Sequence, residues 1–116
     1  VQISSSGAHE KMVADLAANL RRALGIAICL VHPTRFAGAA TANETAIVHG
    51  PFTAKPKIST GAGDHFNSGF CLGKLLGLDN AASVLCGVST SGHYVRTAES
   101  PKVEDLVKLM QNYPTE

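Results

Sequence analysis

Residues 59–70 read STGAGDHFNSGF, a turn of small residues that runs directly into a helical pattern. Gly61, Ala62 and Gly63 carry little or no side chain, so another molecule can approach their backbone closely. Their N–H groups, with those of the first helical turn and the positive end of the helix dipole, can converge on an anion such as a phosphate. The segment therefore predicts an anion site at the N-terminus of a helix.

Asp64 follows this turn and places a carboxylate where phosphate binding alone would disfavour one, because like charges repel. The placement is explained if Asp64 accepts a proton from a hydroxyl group while the neighbouring amides hold the phosphoryl group that the hydroxyl attacks. The pattern thus indicates phosphoryl transfer to an alcohol. A structural interpretation stays open beside it, in which Asp64 is simply the N-cap of the helix.

Upstream of the turn, helical and strand patterns follow one another. Apolar side chains at three- and four-residue steps predict a helix over residues 6–24, with Ser5 or Ser6 as its cap. The continuous apolar run Ile26–Val31 is typical of a strand buried on both faces of a parallel sheet. Two short strands, within residues 36–49, predict an antiparallel hairpin at the edge of that sheet.

Downstream of the turn, the pattern is helical. Gly77 is predicted to close the helix that follows Asp64, and Asp79 to cap a second helix that reaches Val95. Pro101 is predicted to take the first position of a third helix. The alternation of helices with a buried strand predicts an α/β fold, and no linker divides the chain.

Composition narrows the class of protein further. The chain has 116 residues, of which 45% are hydrophobic and 16% charged, with a net charge of +1. The high hydrophobic fraction excludes a disordered chain, and together with the low charged fraction it favours coverage of some faces by other protein. The near-zero net charge gives no basic surface for nucleic acid or membrane. No apolar stretch is long enough to span a bilayer. Cys29, Cys71 and Cys86 lie in apolar runs and are predicted to be reduced core residues of a cytoplasmic protein.

The segment Thr60–Asp64, with Phe66 and the Gly69-Phe70 pair, resembles the C-terminal signature of ribokinase-like (PfkB-type) carbohydrate kinases. The order of helix, strand, hairpin, signature and closing helices is similar to the C-terminal part of that family over nearly the whole chain. The resemblance implies a three-layer α/β/α sandwich. Residues 1–116 would form only its C-terminal, nucleotide-side part, which is a single and incomplete domain.

The resemblance also implies ATP-dependent transfer of the γ-phosphate to a hydroxyl of a sugar or related polyol, with Mg²⁺ bridging the phosphates. Asp64 would be the general base, and Gly61, Ala62 and Gly63 the anion hole. Two alternatives stay open: the same fold acting on a nucleoside or vitamin alcohol, and a non-catalytic nucleotide-binding fragment. Ile58 stands where the family commonly has an acidic residue, so monovalent-cation dependence does not carry over.

Four more residues are candidates for a nucleotide pocket. His32 ends the buried strand, where α/β proteins place ligands. Asn67 lies one turn into the signature helix, and Gly87 with Ser91 makes room for a base on the next helix, although helix packing explains Gly87 equally well. His65 is expected to point to solvent, and no residue is assigned to a metal. The expected partners are the sugar or polyol, the remainder of a kinase chain and a second copy in a homodimer.

Overall fold

Helices and strands follow one another in the predicted order. A computed structural model describes residues 7–114, so the predicted caps Ser5 and Ser6 lie outside the described residues. The described part has four helices and three strands: α1 (Ala8–Leu24), β1 (Cys29–Val31), β2 (Phe36–Ala40), β3 (Thr45–His49), α2 (Ala62–Leu75), α3 (Asn80–Thr97) and α4 (Val103–Gln111). Within that part, no helix combines the length and apolarity that crossing a bilayer requires.

The sheet differs from the prediction at its first strand. Only Cys29–Val31 of the apolar run is a strand, and it pairs antiparallel with β2, Val31 lying opposite Gly38. The strand order β1-β2-β3 leaves β1 at an edge, and Ile26 is 39% exposed. Residues 7–114 place no second strand beside β1, so its outer edge is unpaired within the described part of the chain. The prediction of a parallel strand is therefore wrong for the described part of the chain.

The hairpin prediction is confirmed, and its first strand lies at the centre of the described fold. β2 pairs with β3 along its whole length, from Phe36 opposite His49 to Ala40 opposite Thr45, and all five of its residues are buried. One face of β2 meets α1, since a Cβ on Gly38 would lie 3.2 Å from Val13. Its other face contributes to the main apolar core with residues of α2 and α3: Ala37, Ala39, Phe66, Phe70, Val84 and Val88. The sheet thus lies between two helical layers.

Glycines set the distance between α2 and α3. A Cβ on Gly69 would lie 2.5 Å from the carbonyl oxygen of Cys86, and one on Gly87 would lie 2.8 Å from the ring of Phe66. Real Cβ atoms do not approach other atoms so closely, so these positions exclude any larger residue unless the helices move apart. The α2–α3 contact therefore fixes where the start of α2 lies relative to α3.

Local capping fixes the ends of the last three helices. Gly77 takes the left-handed conformation just after α2, and the Asp79 carboxylate accepts a hydrogen bond of 2.8 Å from the Ala82 amide, as predicted. The prediction for Pro101 is wrong by two residues, because α4 begins after Lys102. The Asp105 carboxylate accepts from the Lys102 amide at 2.8 Å and thereby fixes the start of α4 there.

Candidate active site

The turn before α2 leaves backbone donors unpaired at the start of a 14-residue helix. Gly61 is the N-cap, with φ 94° in the left-handed region that favours glycine. The Ala62 amide donates to the Ser59 carbonyl at 3.1 Å. Within residues 7–114, the amides of Gly61, Gly63 and Asp64 donate to no protein acceptor. Three free N–H groups therefore lie at the positive end of the helix dipole, and Ala62 contributes its small size but no free amide.

Asp64 is the third residue of α2 and not its N-cap, so the structural interpretation of this carboxylate is wrong. Its side chain is exposed and makes no hydrogen bond or ion pair with the described residues. Its backbone carbonyl accepts from Ser68 Oγ at 3.0 Å. The carboxylate is thus free to act as a base within one residue of the unpaired amides.

A cavity of about 360 Å³ opens beside the start of α2. Ala62 and Gly63 line it on one side, and Ser91 of α3 lines it on another. His32, just after β1, also lines the cavity, and its ring stacks on Phe66 with 4.4 Å between the ring centroids. Most of the remaining lining is apolar: Phe36, Pro51, Phe52, Val88 and Val95.

The structure gathers some of the predicted pocket residues and separates others. His32 and Ser91 share the cavity with Ala62 and Gly63. Asn67 lies exposed on α2 and does not line the cavity. Gly87 is buried against Phe66 and is also absent from the lining, so helix packing accounts for this glycine.

Two aromatic side chains beside the turn were not recognised as a pair from the sequence. The expectation that His65 points to solvent is wrong, because its ring stacks on Tyr94 with centroids 3.7 Å apart and planes 11° apart. Its two ring nitrogens lie 2.8 Å from the Gly61 carbonyl and 2.8 Å from Ser100 Oγ. The Tyr94 hydroxyl donates to the Thr60 carbonyl at 2.7 Å. No sequence pattern links positions so far apart.

The sequence model of the prokaryotic ketohexokinase family matches residues 2–113. The chain belongs to this family. The match covers the signature, the hairpin and all four helices, so the resemblance to ribokinase-like kinases is confirmed.

Relatives of this ketohexokinase-family chain agree with that placement. A curated protein of Haloferax volcanii named ketohexokinase is 39% identical over 69 residues, which are 60% of this chain and 18% of that protein. A solved nucleoside kinase of Methanocaldococcus jannaschii, an archaeal member of the ribokinase family, matches with a TM-score of 0.68 and 19% identity, over 76% of this chain and 31% of that one. A mutant of Escherichia coli phosphofructokinase-2 matches with a TM-score of 0.70 and 14% identity, over 96% of this chain and 35% of that one.

These structural matches confirm the fold, the α/β architecture of ribokinase-family kinases. The ketohexokinase-family chain spans 18% of the curated relative and 31% and 35% of the two solved ones. Among residues 7–114, no three His, Cys, Asp or Glu side chains gather where they could bind a metal ion.

The cavity wall after β3 is held by a side chain of α3. Arg96 donates to the carbonyls of Pro51 and Phe52, the latter at 2.9 Å. The guanidinium of Arg35 lies over the Phe52 ring, 3.8 Å from its centroid. Gly92 is buried beside Pro51 and leaves no room for a side chain there. These contacts hold Pro51 and Phe52 in place along the cavity wall.

Tyr113 ties the segment after α4 to the end of β3, since its hydroxyl donates to the His49 carbonyl at 2.6 Å. Burial raises the pKa of the Tyr113 hydroxyl to about 12, and the positive charge of Arg96 partly offsets this effect. The folded state therefore favours the neutral hydroxyl. Its contribution to stability is fully present below the ordinary tyrosine pKa of about 10 and is lost as the pH rises toward 12.

We expect Tyr113→Phe to lower the free energy of unfolding at pH 8 by about 0.5–1.5 kcal/mol, the net value of one hydrogen bond. The difference in the free energy of unfolding between wild type and variant should narrow between pH 10 and pH 12, because only the wild type has a hydroxyl at position 113 to ionise. Thermal unfolding of the full-length protein followed by circular dichroism at pH 8, 10, 11 and 12 measures both effects. A gap that stays constant over this range would contradict the prediction.

Proposed function

We propose that this chain is the nucleotide-side part of an ATP-dependent sugar kinase that phosphorylates a hydroxyl of a ketohexose or a related sugar. The observation that carries the proposal is the exposed Asp64 carboxylate at the start of α2, beside three amides that find no acceptor among residues 7–114. Family membership and a relative named ketohexokinase support the sugar as acceptor.

Each group at the start of α2 has one task in this reaction. The Asp64 carboxylate accepts the proton of the sugar hydroxyl as the sugar oxygen attacks the γ-phosphorus. The bond from that phosphorus to the β-phosphate oxygen breaks, and ADP leaves with the bonding electrons. The amides of Gly61, Gly63 and Asp64 donate to the phosphoryl oxygens, on which negative charge is spread in the transition state.

The cavity beside Gly63 suits the base and ribose of the nucleotide. A volume of about 360 Å³ lies in the range of small-molecule sites, and its aromatic and proline faces match the flat surface of a purine. The Ser91 hydroxyl and the His32 imidazole supply polar groups at its edge. Mg²⁺ would accompany the nucleotide and neutralise phosphate charge, and we assign it to no side chain of this chain.

We further propose that residues 1–116 form the C-terminal portion of a larger kinase domain. The chain spans about a third of the solved relatives, and β1 has an unpaired edge in the described part. Met12 and Leu16 on α1 are 62% and 47% exposed, as expected of a face that other protein covers. The free thiols of Cys29, Cys71 and Cys86 agree with a cytoplasmic location. A homodimer stays a prediction.

Gly63→Val tests the proposed anion site. Gly63 is helical and has no positive φ, so this substitution does not strain the turn. A Cβ there would lie 3.4 Å from the His32 ring at the cavity wall, so the valine methyl groups would crowd the approach to the amides. We expect ATP to bind the full-length variant about 10- to 100-fold more weakly, which corresponds to one charge-assisted hydrogen bond.

Isothermal titration calorimetry with ATP measures this change. Cys71→Val is the matched control, because Cys71 lies outside the cavity lining on the same helix and is exposed, so the prediction of a core position is wrong for this cysteine. Both variants should unfold cooperatively near the wild-type temperature. A folded Gly63→Val protein with wild-type ATP affinity would refute the anion site.

A further inference from the structure

Two carbonyl groups of the turn are held by side chains that lie outside it. The Tyr94 hydroxyl, from α3, donates to the Thr60 carbonyl oxygen at 2.7 Å. The Nδ1 atom of His65 lies 2.8 Å from the Gly61 carbonyl oxygen, and this nitrogen carries the proton because a carbonyl can only accept. Consecutive peptide planes at the start of α2 are thus fixed one after the other.

Fixing these carbonyls also fixes the direction of the amides that follow them. In a trans peptide the C=O and the N–H point in opposite directions. The hydrogen bond from Tyr94 to the Thr60 carbonyl therefore turns the Gly61 N–H away from Tyr94. The hydrogen bond from His65 does the same for the Ala62 N–H, which donates to Ser59. The free Gly61 donor thus takes its orientation from the Tyr94 hydroxyl.

The two rings support each other in this arrangement. His65 and Tyr94 stack with planes 11° apart, and His65 Nε2 lies 2.8 Å from Ser100 Oγ. A neutral imidazole accepts at Nε2 from the serine hydroxyl, and a protonated one donates to it, so the Nδ1 bond to Gly61 is kept in both states. The arrangement is tight, since a Cβ on Gly61 would lie 3.1 Å from the Tyr94 hydroxyl oxygen.

We propose that Tyr94 is a positioning residue that orients the Gly61 amide toward the transferring phosphoryl group, and that His65 supports it through the ring stacked on Tyr94. Neither side chain lines the cavity, so both act through the backbone of the turn. The inference rests on the proposed function. Because an electrostatic donor stabilises the transition state only when it is aimed at the developing charge, a misdirected amide lowers kcat more than it weakens nucleotide binding.

Tyr94→Phe in the full-length protein tests this, because it removes one hydroxyl and keeps the ring that stacks on His65. We expect kcat to fall about 10- to 100-fold, the scale of a small misplacement of a reacting or stabilising group, with KM for ATP and sugar within threefold. Tyr113→Phe is the matched control. It deletes the same kind of hydroxyl-to-carbonyl bond away from the turn and should retain wild-type kcat.

Two variants of His65 complete the test. His65→Ala should lower kcat in the same way, because it removes the ring that stacks on Tyr94, whereas His65→Phe should recover part of it because a phenyl ring can stack in the same place. A Tyr94→Phe enzyme with wild-type kcat would overturn the inference and leave the proposed function intact. A loss of kcat that disappears on cooling, in step with a lower unfolding temperature, would assign Tyr94 to stability alone and would also overturn it. Absence of phosphotransfer in the wild type would instead refute the proposed function.

Discussion

Asp64→Asn in the full-length protein is expected to lower kcat for sugar phosphorylation by about 100- to 10,000-fold, the usual worth of a general base. Asparagine has the same shape and keeps the backbone amide that we assign to the anion site, but its side chain cannot take a proton from the sugar hydroxyl. ATP affinity should stay constant or rise, since the substitution removes a negative charge beside the phosphates. Lost turnover with retained binding is the result that removal of a general base predicts.

Asp79→Asn is the matched control for this experiment. Asp79 also begins a helix, but its carboxylate caps α3 by accepting from the Ala82 amide, and asparagine caps a helix equally well. This variant should keep both turnover and stability. Coupled measurement of ADP release and calorimetry with ATP separate the two effects. Near wild-type kcat in Asp64→Asn would remove Asp64 from the mechanism, and ATP binding without turnover in the wild type would favour a non-catalytic nucleotide-binding protein.

Features that depend on a few consecutive residues could be predicted from the sequence. Gly25 and Gly77 end their helices because glycine alone takes the left-handed conformation without cost. Asp79 caps α3 through a contact three residues away. The signature at residues 59–70 is equally local, so the helix start, its free amides and its carboxylate follow from one short segment.

Features that depend on distant partners could not be predicted in the same way. The run Ile26–Val31 has the composition of a fully buried strand, but composition does not say which strands lie beside it, and residues 7–114 place only the antiparallel β2 there. The start of α4 was misplaced for a local reason instead, because Pro101 suits the first turn of a helix but the Asp105 carboxylate bonds the Lys102 amide and the helix begins two residues later.

The candidate site shows the same division. The cavity draws on the end of β1, the segment after β3 and one face of α3, and no spacing along the chain indicates that these regions meet. His32 was predicted from its place at the end of a strand, and Ser91 from the order of helices in the resembling family; both line the cavity, whereas Asn67 and Gly87 do not. Tyr94 bonds the carbonyl of Thr60, which lies 34 positions earlier in the chain. Only the packing of α3 on α2 brings these two residues together.

That packing leads to the largest expected change in stability, for Gly69→Ala. Alanine favours a helix over glycine by about 1 kcal/mol, so an exposed site would gain stability. At Gly69, however, the new Cβ would lie 2.5 Å from the carbonyl oxygen and 2.9 Å from the carbonyl carbon of Cys86. These are backbone atoms that cannot rotate away, so α2 and α3 must separate. Overpacking of this kind costs about 1–3 kcal/mol or more, which outweighs the gain in helix propensity.

Urea unfolding of full-length Gly69→Ala should therefore show a net loss of up to about 2 kcal/mol, the difference between these two effects. Cys71→Ala, exposed on the same helix, should change stability by less than about 0.5 kcal/mol. Gly63 on α2 and Ser91 on α3 line the same cavity. If the substitution moves the two helices apart, the folded variant should also bind ATP more weakly. A Gly69→Ala protein with wild-type stability and wild-type ATP affinity would mean that close contact between α2 and α3 does not hold the nucleotide cavity in shape.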